Sequence, residues 1–311
     1  MYRVIQIGRW EEARGVAESL RNQWWVFRGL SRASWELDTK LHREARKRSQ
    51  HGETLAYLER WMVLEFQRAA HHHLSHSPAD NEYLDWLALM QHYGGPTRLL
   101  DFTHSFFVAA FFAMEEWPQP EEEEKNKGRV KPGAVWAINL SVLHECAKKN
   151  PEISKIEMRL DSPQRVERVN ALITENFEGK KNAPFVLAVE PHRLDARLIA
   201  QQGLFLFPCD LSASFYDNLT ATLGLRQGYF FDTAPEPWTE TLVKDCHDGK
   251  IAVLKLLLPS AEPHTNYGEA YAIMRDLREM NITAATLFPG LDGFARSMSC
   301  HLRHVNERPP T

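Results

Sequence analysis

The sequence predicts an α+β protein, in which strands and helices are mixed without regular βαβ alternation. Short apolar runs that are typical of buried strands alternate irregularly with amphipathic runs at helical spacing. The chain has 311 residues, 43% hydrophobic and 25% charged, a globular composition with enough apolar mass for a substantial core. It contains no GxGxxG fingerprint, P-loop, nucleophile elbow or internal repeat. Rossmann oxidoreductases, ordinary kinases and α/β-hydrolases are therefore not leading candidates.

Apolar residues recur at helical spacing through much of the first hundred residues. Residues 9–22, 53–74 and 82–93 each carry an apolar stripe that predicts an amphipathic helix, and we group 36–93 as one helical segment. A run of histidines ends the second helix without an HExxH pattern, so it predicts a solvated helix end and no metal site. The N-terminal portion is therefore predicted to be largely helical.

Six apolar runs predict strands. They are WWVFRGL (24–30), GAVWAINL (133–140), PFVLAVEP (184–191), GLFLFP (203–208), KIAVLKLLLP (250–259) and ITAATLFP (282–289). Between and after them, helical patterns lie at 143–150, 161–177, 215–223, 267–281 and 291–302. This order predicts a mixed or antiparallel sheet with helical insertions.

The distribution of charges and cysteines indicates a charged loop, a type of partner and a cellular compartment. Residues 118–132 form a charged, Pro-flanked stretch, which predicts a mobile loop within a single domain spanning 1–311. The net charge is −4, so no global electrostatic footprint for nucleic acid exists, although Arg32 and Arg43 are close enough in sequence to help bind an anion. The four cysteines form no CxxC pair and the N-terminus lacks a long apolar h-region, so we expect reduced thiols in a cytoplasmic protein.

The densest cluster of reactive side chains lies in residues 91–114, QHYGGPTRLLDFTHSFFVAAFFAM. Its glycines and proline predict a tight turn. Five polar or charged side chains follow: Arg98, Asp101, Thr103, His104 and Ser105. The apolar run after Ser105 is too short to span a membrane, which needs about 20 residues, and predicts a buried helix that Thr103 or Ser105 is placed to cap. Two interpretations stay open: a capped core helix, or a pocket with an apolar wall and a few convergent polar groups.

Arg28 is the charged residue inside the apolar run 24–30. Burying a charge alone is costly, so this arginine must be paired or must face a ligand cavity. A buried ion pair with Asp101 or Glu36 is one interpretation, and a ligand-binding arginine is the other.

Four motifs carry a resemblance to a known family. The stretch QHYGGPTRLLDFTHSFFVAAFFA resembles the signature of the FRG-domain family, and Phe27-Arg28-Gly29 matches the motif that gives the family its name. The element Arg-x-x-x-Gln-x-Gly-x-Phe matches residues 197–205, and LFPGLDGFA at 287–295 matches a C-terminal motif. The motifs stand in the family's order and together cover nearly the whole chain.

The order of these motifs is also similar to that of ADP-ribosyltransferases, which implies a sheet core like theirs and NAD as the substrate. By position, the resemblance gives Arg28, Thr103 and Gln201 catalytic roles. It gives cofactor-binding roles to Arg28, His92, Tyr93, Arg98, Asp101, Thr103 and Ser105. Cleavage of the nicotinamide–ribose bond builds an oxocarbenium-like centre, which needs positioning and electrostatic support. We predict that Arg28, Arg98, Asp101, Thr103 and Gln201 line one concave site.

The sequence departs from the transferase pattern after Gln201, because no Glu-x-Glu or Gln-x-Glu follows. A neutral amide supports a developing positive charge less well than a carboxylate, and Gln201 can equally satisfy loop backbone. The candidates to supply the missing charge are Glu190, Asp195, Asp101 and Asp232.

Three functions are therefore open. The first is an ADP-ribosyltransferase, acting as a toxin or phage-defence protein on nucleic acid, RNA included, or on protein, with an antitoxin as a partner and no membrane. The second is a nuclease or nucleotide hydrolase with His92, Asp101 and His104 as acid and base. The third is a non-catalytic module that binds a nucleotide or a partner chain.

Overall fold

A computed structural model describes the chain at residues 1–49, 54–115, 133–149, 151, 153–154, 159–226, 233–259 and 267–302. Its centre is a mixed sheet of eight strands in the order β5-β6-β3-β2-β4-β8-β1-β7. The pairs made by β1 with β7 and β8 are parallel, and the other pairs are antiparallel. The α+β class with a mixed sheet is confirmed.

Most of the strands are short apolar segments, and five of the eight were predicted from the sequence. Their bounds are β1 Tyr2–Gln6, β2 Trp25–Leu30, β3 Leu100–Thr103, β4 Ala134–Asn139, β5 Val186–Val189, β6 Gly203–Pro208, β7 Pro235–Glu236 and β8 Val253–Leu257. The short strands β1, β3 and β7 were not predicted. The sheet joins segments that are far apart in sequence, because β1 pairs with β7 and β8.

Helices cover both faces of this sheet. Their bounds are α1 Trp10–Leu20, α2 Lys40–Lys47, α3 Thr54–Ala70, α4 Tyr83–His92, α5 Phe106–Glu115, α6 Leu140–Ala147, α7 Pro163–Phe177, α8 Ala196–Ala200, α9 Phe215–Leu223, α10 Glu240–His247, α11 Tyr267–Glu279, α12 Ala284–Leu287 and α13 Leu291–Leu302. Helices α2 to α4 occupy the predicted helical segment 36–93. The chain begins with strand β1, however, so its N-terminal portion is not purely helical.

Alternation along the strands separates two apolar layers. In β4, Val135 and Ala137 join the core that includes α1, α5 and α11, whereas Trp136 and Ile138 join the core that includes α6 and α9. Successive side chains on a strand point to opposite faces, so one strand serves both layers. A third core packs α3, α4 and α7 against β5 and β6.

Helix α5 lies almost in backbone contact with β2. A Cβ atom placed on Gly29 would lie 1.9 Å from the main-chain oxygen of Ala109 and 2.6 Å from the nitrogen of Ala113. Only glycine fits at this distance, which explains the glycine of the Phe-Arg-Gly motif by packing. The small residues of α5 allow the same approach from the other side.

One predicted strand was wrong. Residues 282–289 contain the helical turn α12 and no strand, because Thr283 and Thr286 form a reciprocal capping box that starts a helix there. The predicted mobile loop at 118–132 lies outside the described residues. The single-domain boundary 1–311 stays a prediction. Among the described residues, no helix is long and apolar enough to cross a membrane.

Candidate functional site

Arg98 lies in the core and does not line the cleft, which corrects the prediction for this residue. Its side chain is fully buried, its Nε donates to Glu59 Oε2 at 2.6 Å, and its Nη1 donates to Asn176 Oδ1 at 2.7 Å. The main-chain nitrogen of Arg98 donates to the other oxygen of Glu59 at 3.0 Å. The guanidinium also lies over the ring of Phe207, 5.2 Å from its centroid. This arginine fixes helix α3 to the start of β3.

The predicted turn before β3 connects three elements. Gly94 has a φ of +83°, a conformation that glycine adopts at little cost, and its carbonyl accepts from Lys40 Nζ at 2.6 Å. Gly95 packs so closely on Met90 that an added Cβ would lie 2.4 Å from the Met90 Cγ atom. The turn therefore holds the end of α4 and the start of α2 together.

Asp101 is held in place by two neighbours. Gln91 Nε2 donates to Asp101 Oδ1 at 2.7 Å, and the guanidinium of Arg28 lies 3.7 Å from Asp101 Oδ2. Arg28 Nη1 also donates to the main-chain oxygen of Asp101 at 2.6 Å. The Asp101 side chain remains 56% exposed, so its carboxylate is oriented by the protein and still open to a ligand.

Arg28 itself is only partly satisfied. Its side chain is 19% exposed, and its Nε is buried without a hydrogen-bond partner among the described residues. Burial lowers the pKa of Arg28, an effect that the nearby Asp101 carboxylate opposes. An arginine keeps its charge over the physiological range, so a buried donor is left available beside the cleft.

Thr103, Ser105 and Gln201 make main-chain contacts. Thr103 Oγ1 donates to the Gln201 carbonyl at 2.7 Å and accepts from the Ser105 nitrogen at 3.0 Å. Ser105 Oγ accepts from the Val108 nitrogen at 3.3 Å, which caps α5. The Gln201 amide donates to the Leu287 carbonyl at 3.0 Å. These bonds match the structural interpretation of the three residues and join β3, α8 and α12 around one site.

Two adjoining cavities lie beside β2 and β3, where these strands pair at the single register position Phe27–Thr103. One measures about 210 Å³ and the other about 260 Å³. Both are lined by Arg28, Asp101, Arg197 and Gln201. The predicted convergence is therefore found for Arg28, Asp101, Thr103 and Gln201. Four other residues of the predicted cluster are absent from both walls: Tyr93, Arg98, His104 and Ser105.

The two cavities differ in chemistry, and we call them the cationic and the aromatic cavity. The cationic cavity is lined by the basic residues Arg28, Lys40, Arg43 and Arg197 and by the acidic residues Asp101 and Asp195. Within the described chain, no carboxylate oxygen lies within 4.0 Å of the charged nitrogens of Lys40, Arg43 or Arg197. The aromatic cavity is lined by Phe27, Trp35, Phe102 and Phe112.

A histidine–aspartate pair lies on the wall of the cationic cavity. His92 Nδ1 is 3.2 Å from Asp195 Oδ1, and the same Asp195 oxygen caps α8 by accepting from the Arg197 and Leu198 nitrogens. The ring of Tyr93 packs edge-on against His92 and is 66% exposed. His104 pairs with Glu190 at 3.4 Å outside both cavities.

The C-terminal motif supports the cleft wall. The ring of Phe288 lies between two guanidinium groups, 4.7 Å from Arg197 and 4.4 Å from Arg296. Arg296 in turn pairs with Glu115 at the end of α5 at 2.7 Å. The motif thus fixes Arg197 against the rest of the protein.

A family comparison matches the FRG domain at residues 23–122. The chain therefore contains an FRG domain in this segment. Comparisons with curated proteins and with solved structures gave no significant match. The FRG domain supplies one wall of the cleft, including Arg28, Lys40 and Asp101, while Asp195 and Arg197 come from the chain after it.

Sequence reasoning missed two lining residues. Lys40 lay in the predicted helical segment 36–93 without a predicted role, and Trp35 was not considered as a site residue. The helical spacing of Lys40 and Arg43, three residues apart, was the available signal for a shared face. Among the described residues, no group of three or more His, Cys, Asp or Glu side chains is placed to hold a metal ion.

Proposed function

We propose that the cleft of this FRG-domain protein binds NAD and that the protein transfers its ADP-ribosyl group to a macromolecule. The observation that carries the proposal is the position of Arg28 where an aromatic and a cationic cavity adjoin, with a buried, unbonded donor. A dinucleotide combines planar bases with a diphosphate, and arginine binds phosphate through paired donors.

Different residues of the cleft would have different roles in such a transfer. Trp35, 43% exposed, offers a surface on which a base stacks, and Arg28 with Arg197 neutralises the diphosphate. Asp101 supplies the negative charge that Gln201 lacks, because its carboxylate is oriented by Gln91 and lines both cavities. Of the other predicted candidates for this charge, Glu190 pairs with His104 outside both cavities, and Asp232 lies outside the described residues.

The proposed step balances as a displacement at the ribose. The bond from ribose C1′ to the nicotinamide nitrogen breaks, and its electron pair leaves with nicotinamide. A lone pair of the acceptor forms the new bond to C1′, and the acceptor's proton passes to His92, whose Nδ1 lies 3.2 Å from Asp195 Oδ1. A role as a cytoplasmic toxin or phage-defence protein, with an antitoxin as partner, belongs to this same proposal.

A second candidate is a nuclease or nucleotide hydrolase. It is favoured by His92 on the cavity wall, because a histidine is the commonest general base and its Nδ1 lies 3.2 Å from Asp195 Oδ1. Water would then replace the macromolecular acceptor.

Incubation with NAD labelled in the adenylate, in the presence of cell extract and of RNA, tests the proposal. We expect nicotinamide release and label in a macromolecular fraction, and we expect Asp101→Asn to lower the rate about 100-fold or more. Asp292→Asn, an exposed carboxylate on α13, is the matched control. RNA loss without NAD consumption would favour the hydrolase, and tight NAD binding without turnover would leave a binding module.

A further inference from the structure

Helix α2 brings a strip of positive charge to the mouth of the cationic cavity. Lys40, Arg43 and Lys47 are spaced three and then four residues apart, so they share one face of the helix. Lys40 and Arg43 line the cavity, and Lys47 continues the strip with a side chain that is 70% exposed. Arg48 stands one residue further along the chain and is 65% exposed.

The strip is positive even after its local ion pairs are counted. Glu44 accepts from Lys47 at 2.8 Å and from Arg48 at 3.1 Å, and Asp38 pairs with Arg46. Lys40 and Arg43 bond main-chain oxygens, of Gly94 at 2.6 Å and of Asp38 at 2.5 Å, and so keep their charge uncompensated by a carboxylate in the described chain. The whole protein carries −4, so this strip stands out against an acidic background.

An exposed aromatic ring packs against a residue that lines the same cavity. Tyr93 follows His92 directly, packs edge-on against it and is 66% exposed. A positive groove that tracks a backbone, combined with an aromatic ring on which a base stacks, is how proteins bind single-stranded nucleic acid. A duplex keeps its bases stacked inside and would not reach Tyr93 and the cavity together.

From these features, and resting on the transferase activity proposed above, we infer that the acceptor is a single-stranded nucleic acid. Its phosphates lie along α2 on Lys40, Arg43 and Lys47, and one base stacks on Tyr93. The neighbouring nucleotide enters the cationic cavity, where its nucleophile faces His92 and Asp101. The donor then occupies the aromatic cavity, and the two substrates meet at Arg28, Asp101, Arg197 and Gln201, the residues that both cavities share.

The first test measures binding of labelled oligonucleotides about 12 nucleotides long by fluorescence anisotropy, for single-stranded RNA, single-stranded DNA and duplex. The full chain should bind a single strand more tightly than the duplex, and affinity should fall steeply between about 50 mM and about 200 mM salt. Lys40→Gln/Arg43→Gln should weaken binding about tenfold or more and lower the salt slope by about two. Arg21→Gln/Lys180→Gln removes two exposed charges elsewhere and should leave binding unchanged.

The second test concerns the aromatic contact. Tyr93→Ala should weaken single-strand binding about fivefold or more, whereas Tyr57→Ala on α3, where the ring is 67% exposed, should not. A duplex bound as tightly as a single strand, or affinity unchanged in the Lys40→Gln/Arg43→Gln variant, would overturn the inference.

The inference and the proposed function fail in different ways. Label from NAD on protein, with no oligonucleotide bound even at low salt, would overturn the nucleic-acid acceptor and leave the transferase standing. Oligonucleotide bound through α2, without any NAD consumption, would overturn the transferase and keep α2 as a single-strand binding site.

Discussion

Arg28 and Arg98 both lie in the FRG domain and both stand next to apolar residues in sequence, yet their surroundings differ. Arg98 is fully buried and bonds Glu59, which is itself fully buried, and Asn176. Arg28 is 19% exposed, bonds one main-chain oxygen and keeps an unbonded Nε, and its carboxylate neighbour Asp101 is 56% exposed. The two residues are of the same type, and the groups bonded to each guanidinium determine whether it can still bind a ligand.

This difference separates scaffold from site. When both partners of an ion pair are buried, removing one of them leaves the other as an uncompensated charge in the core. A charged side chain beside a cavity, with an exposed partner, still has donors free for a ligand. When it is removed, water can solvate the exposed partner. Each prediction below changes the free energy of unfolding by an amount that tests this division.

The largest expected effect belongs to Arg98. Arg98→Met should lower the free energy of unfolding by about 3–5 kcal/mol, because it leaves the Glu59 carboxylate uncompensated at zero exposure. Chemical denaturation at neutral pH measures this loss. The double variant Arg98→Met/Glu59→Leu should recover much of it, because it removes the stranded charge. A double variant no more stable than the single one would show that packing, not charge, makes Arg98 necessary.

A third buried arginine sharpens the comparison because one of its partners is neutral. Arg165 Nη2 lies 3.1 Å from His144 Nδ1, and burial, together with the positive charge of Arg165, lowers the pKa of His144 to about 4. The unfolded chain takes up this proton near pH 6.5, so stability should fall as the pH drops from about 6.5 to about 4, by on the order of 3 kcal/mol.

His144→Gln isolates that contribution, because an amide oxygen accepts from Arg165 without titrating. The difference in unfolding free energy between wild type and variant should shrink over this pH interval and stay constant above pH 7. A constant difference down to pH 4 would mean that His144 titrates normally in the folded protein.

Gly29 tests whether the motif around Arg28 also carries structure. Gly29→Ala should cost about 1–3 kcal/mol or more, since its Cβ would lie 1.9 Å from the Ala109 oxygen on α5. Gly15→Ala is the matched control: no atom lies within 4 Å of its added Cβ, so the same change in helix α1 should stabilise by about 0.5–1 kcal/mol. Equal melting temperatures for the two variants would contradict the close packing of α5 on β2.

Much of this fold could be predicted from local pattern. Five of the six predicted strands form, and the apolar run after Ser105 is helix α5, capped by Ser105 itself. The failures are segments whose structure depends on neighbours or on hydrogen bonds. Strand β1 is an ordinary short segment that the parallel pairing with β8 makes a strand, and residues 282–289 look like a strand until the Thr283 cap is seen.

The site was harder to predict, because its charges are assigned by partners that are distant in sequence. Arg98 looked like a ligand residue until Glu59 and Asn176 were found beside it, at separations of 39 and 78 residues. Lys40 lay in the predicted helical segment 36–93 without a predicted role, and the structure shows it bonded to the Gly94 turn at the cavity. A sequence shows which residues are reactive, whereas only the fold shows which of them are already bonded.

The smallest expected effect on stability, and the most informative one, belongs to Arg28. Arg28→Lys should change the free energy of unfolding by less than about 1 kcal/mol, and Arg28→Ala by about 1 kcal/mol, since the exposed Asp101 carboxylate can be hydrated when its partner is lost. Binding should behave in the opposite way. Lysine keeps the charge but loses the planar fork that holds a diphosphate, so NAD affinity measured by calorimetry should fall about tenfold or more, about 1.4 kcal/mol.

The control for this pair of variants is Arg14→Lys, an arginine that is 49% exposed and paired with Asp276 away from the cleft, and NAD affinity should not change there. Melting near that of wild type with NAD binding lost would place Arg28 in the site. Strongly lowered melting of both Arg28 variants, with no NAD bound by the wild type, would put Arg28 in the same class as Arg98. In that case the Phe-Arg-Gly motif would be a packing element throughout, because Gly29 holds α5 and Arg28 would then hold β3.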